Sequence, residues 1–291
     1  LQDIFYRKPD LWGPDKVAHT VVPAWYYRKG YVTAMARLIL DQIYDYSLED
    51  MKEGIHVLFS AHGVPQSYIV AGDPYQRHIE ECVKLISREI ASQLLDSSVD
   101  RPEHVTAFIA NALAGKSSNV EIDGKQTISV GELAQEIRFH LSFQSRVGPV
   151  QWLQPYTESK LVELGGAGVK NLVVVPVSFV SEHIETLEEI DMEYRELALE
   201  NGIQNWKRVA ALNTDSGFIE DMTGMVIDAL KSPSLSVGEA ATQNSEMVSQ
   251  QGKGLSLSIT EEVGGRFAMV SILLSAFTEL LNGHPVLDMI R

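Results

Sequence analysis

The sequence predicts an α/β fold: a Rossmann-like four-stranded parallel sheet flanked by helices, followed by a single C-terminal transmembrane helix. Short apolar runs predict the sheet. Val17 to Pro23, Ile55 to Ala61, Phe139 to Ser145 and Leu172 to Val177 are each followed by a segment of helical period. Strand–helix units in succession imply a parallel sheet covered on both faces. The last helix is predicted by the apolar run from Val263 to Leu281. As a helix it would be roughly 28 Å long, close to a bilayer core. A Ser-, Gly- and Gln-rich stretch separates it from the rest, so the expected units are a sheet domain over 1–232, a linker over 233–258 and a membrane helix over 259–291.

Taken in order, Leu1 to Asp15 reads as an irregular lead-in, and Val17 to Pro23 as a strand stopped by proline. Val32, Met35, Ala36, Ile39, Leu40 and Ile43 give a helix over Gly30 to Tyr46. After the strand ending at Ala61, a loop runs to Asp73, whose side chain caps a helix with Pro74 at its first position; Ile79, Val83, Leu85, Ile86, Ile90 and Leu94 carry it onward. The stretch from about 96 to 138 reads as an insertion, helical over Val105 to Leu113 and turn-like over Gly115 to Gly124. Helices are expected over Thr157 to Leu164 and Gly217 to Leu230, and another that starts at Ser181 as N-cap, with Glu182 on its positive end.

Composition narrows the function. With 291 residues and 45% hydrophobic content the chain can bury the core of one or two domains. Its 24 basic and 39 acidic residues leave a net charge of −15, which excludes nucleic acid as a partner. Cys82 is the single cysteine, so an intrachain disulfide framework and any cysteine-ligated cluster are excluded, and a reducing compartment fits. Leu1 is not a methionine and adjoins no signal or transit pattern, so targeting information is expected to be either processed away or not included, and the chain to be a fragment.

The helix after the fourth strand carries the most chemical information. Ile184, Leu187, Ile190 or Asp191, Tyr194 and Leu197 make an apolar stripe, while Glu185, Glu189 and Glu193 recur at i, i+4, i+8. Like charges at that spacing repel, and Arg195 is the only cation between Glu182 and Glu196, so the row calls for a cation from elsewhere. Residues at i+4 drift by about 40° around an α-helix, so a local π-turn would align them better. The row is either a solvated acidic face or a path for protons or divalent metal.

Ligands of open parallel sheets bind beyond the carboxyl ends of the strands. His62 stands there, within Ser-Ala-His-Gly, whose small neighbours leave its ring accessible. His183 has the weaker case, since it can cap or pair within the first helical turn. Trp152 and Tyr75 are candidates to stack on a flat ligand.

Four stretches, Phe59-Ser-Ala-His-Gly-Val-Pro65, Gly72-Asp-Pro-Tyr75, Gln144-Ser-Arg-Val-Gly-Pro-Val-Gln-Trp-Leu153 and Ser181 to Tyr194, resemble in this order the ferrochelatase family. The resemblance implies insertion of ferrous iron into protoporphyrin IX to form protoheme, a lyase step in heme biosynthesis. It implies His62 as the active-site histidine and Glu185 as the catalytic glutamate, the pair for iron binding and pyrrole deprotonation. Glu189 and Glu193, with His183, would form the metal or proton path, and Trp152 and Tyr75 would lie at the porphyrin. The family has two similar Rossmann-like domains, and the strands here match the second alone. Weak porphyrin binding by the isolated chain is therefore expected. No tightly bound cofactor is expected; iron is a substrate.

Glu261 to Met269 is similar to the chlorophyll a/b-binding motif of light-harvesting proteins, with Gly264 where that motif usually has asparagine. That similarity implies a plastid enzyme on the thylakoid membrane. A pigment site through Glu261 and Arg266 would require two copies, hence a homodimer through the last helix. Two alternatives remain: a related chelatase for another tetrapyrrole or metal, and a non-catalytic, membrane-anchored tetrapyrrole or chlorophyll binder.

Overall fold

The computed structural model of the chain describes residues 20, 22–96, 98–113, 120–122, 125–127, 137–177 and 179–231. Helix α1 (Lys29–Tyr44) and the short α2 (Leu48–Glu53) precede β1 (Ile55–His62). After it come α3 (Gln66–Val70), α4 (Tyr75–Leu95), α5 (Glu103–Leu113) and an antiparallel hairpin of β2 (Val120–Ile122) and β3 (Lys125–Thr127). Next are β4 (Ile137–Gln144), α6 (Thr157–Gly166), β5 (Asn171–Pro176) and a π-helix (Glu185–Tyr194) that runs into α7 (Arg195–Glu200). The described elements close with β6 (Asn205–Arg208) and α8 (Ser216–Lys231).

Four of the strands form one sheet in the order β4-β1-β5-β6, and every neighbouring pair is parallel. Side chains alternate between its faces. Ile55, Val57, Phe59 and Ala61 of β1 pack with α1, α4, α5 and α8, whereas Leu58 packs with α6, the π-helix and α7. Helices on both faces explain why β1 and β5 are buried almost throughout. The chain leaves β1 toward the first face and leaves β4 and β5 toward the second. Such divergence of neighbouring loops marks the place where open parallel sheets bind ligands.

The parallel sheet is as expected, but its membership differs. Val22 and Pro23, at the end of the first predicted strand, are not in a strand, and Val17 to His19 lie outside the described residues. The fourth strand is β6, whose Asn-Trp-Lys-Arg carries little apolar pattern because it sits at an edge and is only half-buried. Part of the turn-like stretch from Gly115 to Gly124 is strand β2. Among the described residues no helix is long and apolar enough to cross a membrane; the predicted span, the linker, Glu261 and Arg266 all lie outside them.

Local rules account for the helix ends. Asp73 accepts from the Tyr75 N–H at 2.9 Å, but the helix begins one residue later than expected, at Tyr75, with Pro74 as its N-cap residue. At α1, Gly30 allows a close approach to α8: a Cβ there would lie 2.4 Å from Asp221 Cβ. Asp221 in turn pairs with Arg28 at 2.6 Å. Cys82 is buried on α4, its sulfur 3.8 Å from the Tyr31 hydroxyl, and burial pushes the thiol pKa up to about 12.

Two histidines face each other on the second face. His56 Nδ1 lies 3.0 Å from His140 Nε2, with the rings stacked at 5.1 Å. Burial lowers both pKa values, that of His140 to about 4, helped by His56, Lys160 and Arg138 and opposed by Glu163. The folded state therefore resists protons that the unfolded chain accepts near pH 6.5. Stability is fully present above that pH and is lost as pH falls toward about 4. Replacing His140 by glutamine should remove on the order of 1–2 kcal/mol of that acid destabilisation, discounted for solvent screening. Urea denaturation at pH 7.5 and 5 checks this, and an unchanged pH slope would contradict it.

Candidate active site

His62 ends β1. Its Nδ1 lies 2.7 Å from the Gly63 carbonyl, which can only accept, so Nδ1 carries the proton and the lone pair of the neutral ring is on Nε2. The Tyr75 hydroxyl donates to the His62 carbonyl at 2.6 Å and braces the strand end. Tyr75 is only 8% exposed, which leaves little of its ring for a ligand to stack on. Its hydroxyl lies beneath the strand end that carries the histidine.

The loops after β1 and β4 are stitched together. Gly63 N–H donates to the Gln144 carbonyl at 2.9 Å, and Leu153 N–H to the Val64 carbonyl at 3.0 Å. A Cβ on Gly63 would lie 3.0 Å from that Gln144 oxygen and 3.3 Å from Trp152 Cε3, so a larger residue would push the carbonyl or the indole aside by a few tenths of an ångström. Trp152 is held by its indole N–H on the Val147 carbonyl at 2.9 Å and lies half-buried against the residue that follows His62.

The acidic row adopts the wider turn that its spacing favours, a π-helix. Its three carboxylates part company. Glu193 is exposed, whereas Glu185 and Glu189 are half-buried. Glu189 accepts from Gln144 Nε2 at 3.0 Å, Ser145 N–H at 3.0 Å, Ser145 Oγ at 2.6 Å and the Tyr194 hydroxyl at 2.6 Å. A left-handed backbone at Ser145, φ +63°, aims both of its donors at this carboxylate. Burial first, and then the bond to Glu189, raise the Tyr194 pKa.

Behind Glu189 runs a buried chain of hydroxyls. Ser60 donates to Gln144 Oε1 at 2.6 Å, so Thr157 donates to Ser60 at 2.9 Å, while Ser142 lies 2.9 Å from the Thr157 hydroxyl and donates to the Phe59 carbonyl at 3.4 Å. This order leaves the Gln144 amide as donor, to the Glu185 carbonyl at 3.1 Å as well as to Glu189. His62 pairs with Gln144 in the sheet register. The histidine and the start of the π-helix thus meet at one glutamine.

The first helical turn departs from expectation. Ser181 is not the N-cap: its hydroxyl lies 3.2 Å from His183 Nε2, and its carbonyl takes the His183 Nδ1–H at 2.7 Å. The His183 N–H is met by the Thr186 hydroxyl at 3.0 Å, which donates to Glu182 at 2.6 Å. Both nitrogens of the exposed His183 are engaged by Ser181, and Phe179 stands between the two histidines, 6.1 Å from His62 and 6.4 Å from His183. The buried stripe is Thr186, Ile190, Tyr194 and Ala198, whereas Ile184 and Leu187 are exposed, because a wider turn shifts the register. Among the described residues no three His, Cys, Asp or Glu side chains form a group that could hold a metal ion.

A cation does reach the helix from β6, but it serves Glu182 and Asp191 and not the row Glu185, Glu189 and Glu193. Arg208 bonds Asp191 at 2.7 Å and Glu182 at 2.9 Å. Burial alone would raise the Glu182 pKa, but bonds from Thr186, Ala211 N–H and Arg208 outweigh it and hold the carboxyl below its usual range.

Comparison with known proteins decides the family. A family model described as ferrochelatase matches residues 7–230. The chain belongs to the ferrochelatase family. It is 42% identical over 294 residues to the ferrochelatase of Nostoc punctiforme, covering all of this chain and 63% of that protein. The ferrochelatase of Synechocystis is 38% identical over 294 residues, with the same coverage of both. The chloroplastic/mitochondrial ferrochelatase-1 of Arabidopsis thaliana is 45% identical over 247 residues, 84% of this chain and 43% of that protein. The chain thus spans 63% of the length of the cyanobacterial ferrochelatases it matches.

Thr157 and Arg208 carry no sequence signal that marks them for this ferrochelatase-family site, and Gln144 and Ser145, which open one of its motifs, have no role legible there. Their roles arise from which strand ends meet, and sequence periodicity does not report that. Arg208→Met should cost about 2 kcal/mol, between exposed and buried ion pairs, by leaving Glu182 and Asp191 without their counter-charge. Urea denaturation reads the loss, and wild-type stability would show the ties to be worth nothing net.

Proposed function

We propose that this chain supplies the deprotonating wall of a ferrochelatase that inserts ferrous iron into protoporphyrin IX. Entry of one Fe²⁺ requires two pyrrole N–H protons to leave, so the site needs a base near the macrocycle and a path away from it. The observation that supports the reading is the placement of His62: its Nδ1 lies against the Gly63 carbonyl, so a neutral ring there has its basic nitrogen at Nε2, and its strand pairs at that position with Gln144, which binds the Glu185 carbonyl. His62 takes the first proton in this scheme, Glu185 the second, and the exposed Glu193 gives the outer end of the path. Trp152 is proposed to border the porphyrin.

A flat, apolar macrocycle needs both faces covered to be desolvated and bent. Tyr68, Val70, Val147, Val150, Ile184 and Leu187, on the segments that follow β1, β4 and β5, are exposed and suit one such wall. An opposing wall of the same family's kind is proposed to complete the cleft. Plastid or cyanobacterial origin is supported by the sources of the relatives. Attachment to the thylakoid membrane rests on the apolar run from Val263 to Leu281, and a paired pigment site on Glu261 and Arg266.

The test is iron insertion followed by porphyrin absorbance, in a protein that contains both walls. His62→Ala should lower turnover by about 10²–10⁴-fold while leaving porphyrin affinity within a few-fold. Glu185→Gln should behave alike, and Glu193→Gln should chiefly raise the KM for iron. Near-normal turnover of the histidine variant would sink the assignment, and turnover with a different metal alone would move it to a related chelatase. For the 291-residue chain by itself, insertion no faster than the uncatalysed reaction is expected. Full activity there would refute the need for a second wall.

A further inference from the structure

We infer that Gln144 is a positioning residue that sets the π-helical turn and so places Glu185 relative to His62. Its side chain is 1% exposed and every polar atom is committed. Oε1 accepts from Ser60, and Nε2 donates to the Glu185 carbonyl and to the Glu189 carboxylate. One amide thus grips the helix at two residues four apart. In an α-helix the Glu185 carbonyl would bond the N–H of residue 189; in a π-helix it bonds that of residue 190. An outside donor on this carbonyl, with the same amide on Glu189, fixes the separation of the two residues and favours the wider turn.

No neighbouring residue type can do this. Asparagine is a methylene short of both acceptors, glutamate would place a like charge 3.0 Å from Glu189, and leucine would leave that half-buried carboxylate short of a donor. The grip has a rigid base, because Ser60, Ser142 and Thr157 are fully buried and joined through the Thr157 hydroxyl. The same glutamine pairs with His62 across β1 and β4, so the base and the carboxylate are located from one reference point.

The structural part of this role stands on geometry, and its catalytic consequence rests on the iron-insertion reading. The experiment is amide hydrogen exchange on the full chain, wild type against Gln144→Leu. Exchange should rise roughly tenfold or more across 185–194 while the amides of β1 and β5 keep their protection. Ser60→Ala, which removes only the donor that holds Oε1, should give a smaller change in the same segment and guards against a Gln144 variant that does not fold. In a two-walled protein, Gln144→Leu should lower kcat by about 10²-fold with the porphyrin KM within threefold, as expected for a misplaced catalytic group. Unchanged exchange over 185–194 in both variants, or a uniform loss of protection across the sheet, would overturn the proposal. A wild-type protein that inserts no iron would instead defeat the iron-insertion reading, and the exchange pattern would still decide the role of Gln144.

Discussion

A carboxylate taken partly out of water must be met by donors, and Glu189 is the group whose satisfaction the site is built around. Withdrawing such a charge costs several kcal/mol unless hydrogen bonds replace its hydration. Three of its four donors come from the end of β4 and its following residue, and the fourth from Tyr194 on its own helix. Meeting this demand ties the π-helix to the sheet and forces Ser145 into a left-handed backbone. The glutamine that contributes is immobilised by hydroxyls running back beneath α6. Electrostatic need at one atom pair thus propagates into strand ends, loop shape and helix pitch.

The acidic character of the helix is managed in the same way at its other side. A chain with net charge −15 cannot leave Glu182 and Asp191 near each other without a cation. Arg208 arrives from the edge strand β6 to bind both. This explains why an edge strand with little apolar content belongs to the fold. Its contribution to the site is charge, delivered from across the sheet, while its backbone simply continues the ladder from β5.

The parts of the fold that are readable in sequence are those where burial dominates. β1, β4 and β5 announce themselves because their side chains sit between two helical layers, and the carboxylate spacing points to a π-turn because like charges recur where an α-helix would misalign them. The misreadings share a cause. β6 is half-buried and lacks apolar rhythm; Ile184 and Leu187 look like core at α-helical spacing, but a wider turn carries them to solvent; Ser181 looks like a cap, but Thr186 reaches back to do that work. Tyr75 resembles a ligand-stacking aromatic, yet its hydroxyl fixes its depth by seeking the His62 carbonyl. His62 and Glu185 are readable as candidates by type and place, whereas their common dependence on Gln144 arises only when two distant strand ends become neighbours.

The buried position of Cys82 has a use beyond packing. A thiol whose pKa is pushed to about 12 is almost wholly uncharged at neutral pH, and it is shielded by α1 and by Tyr31. The Tyr31 hydroxyl is itself fixed to the Val177 carbonyl, at the end of β5. An alkylating reagent can therefore reach this sulfur only when the seam between α1, α4 and the strand leading to the π-helix parts. As the chain's single cysteine, it makes the native sequence its own clock for that opening, with the rate of modification counting how often the layer over the sheet lifts.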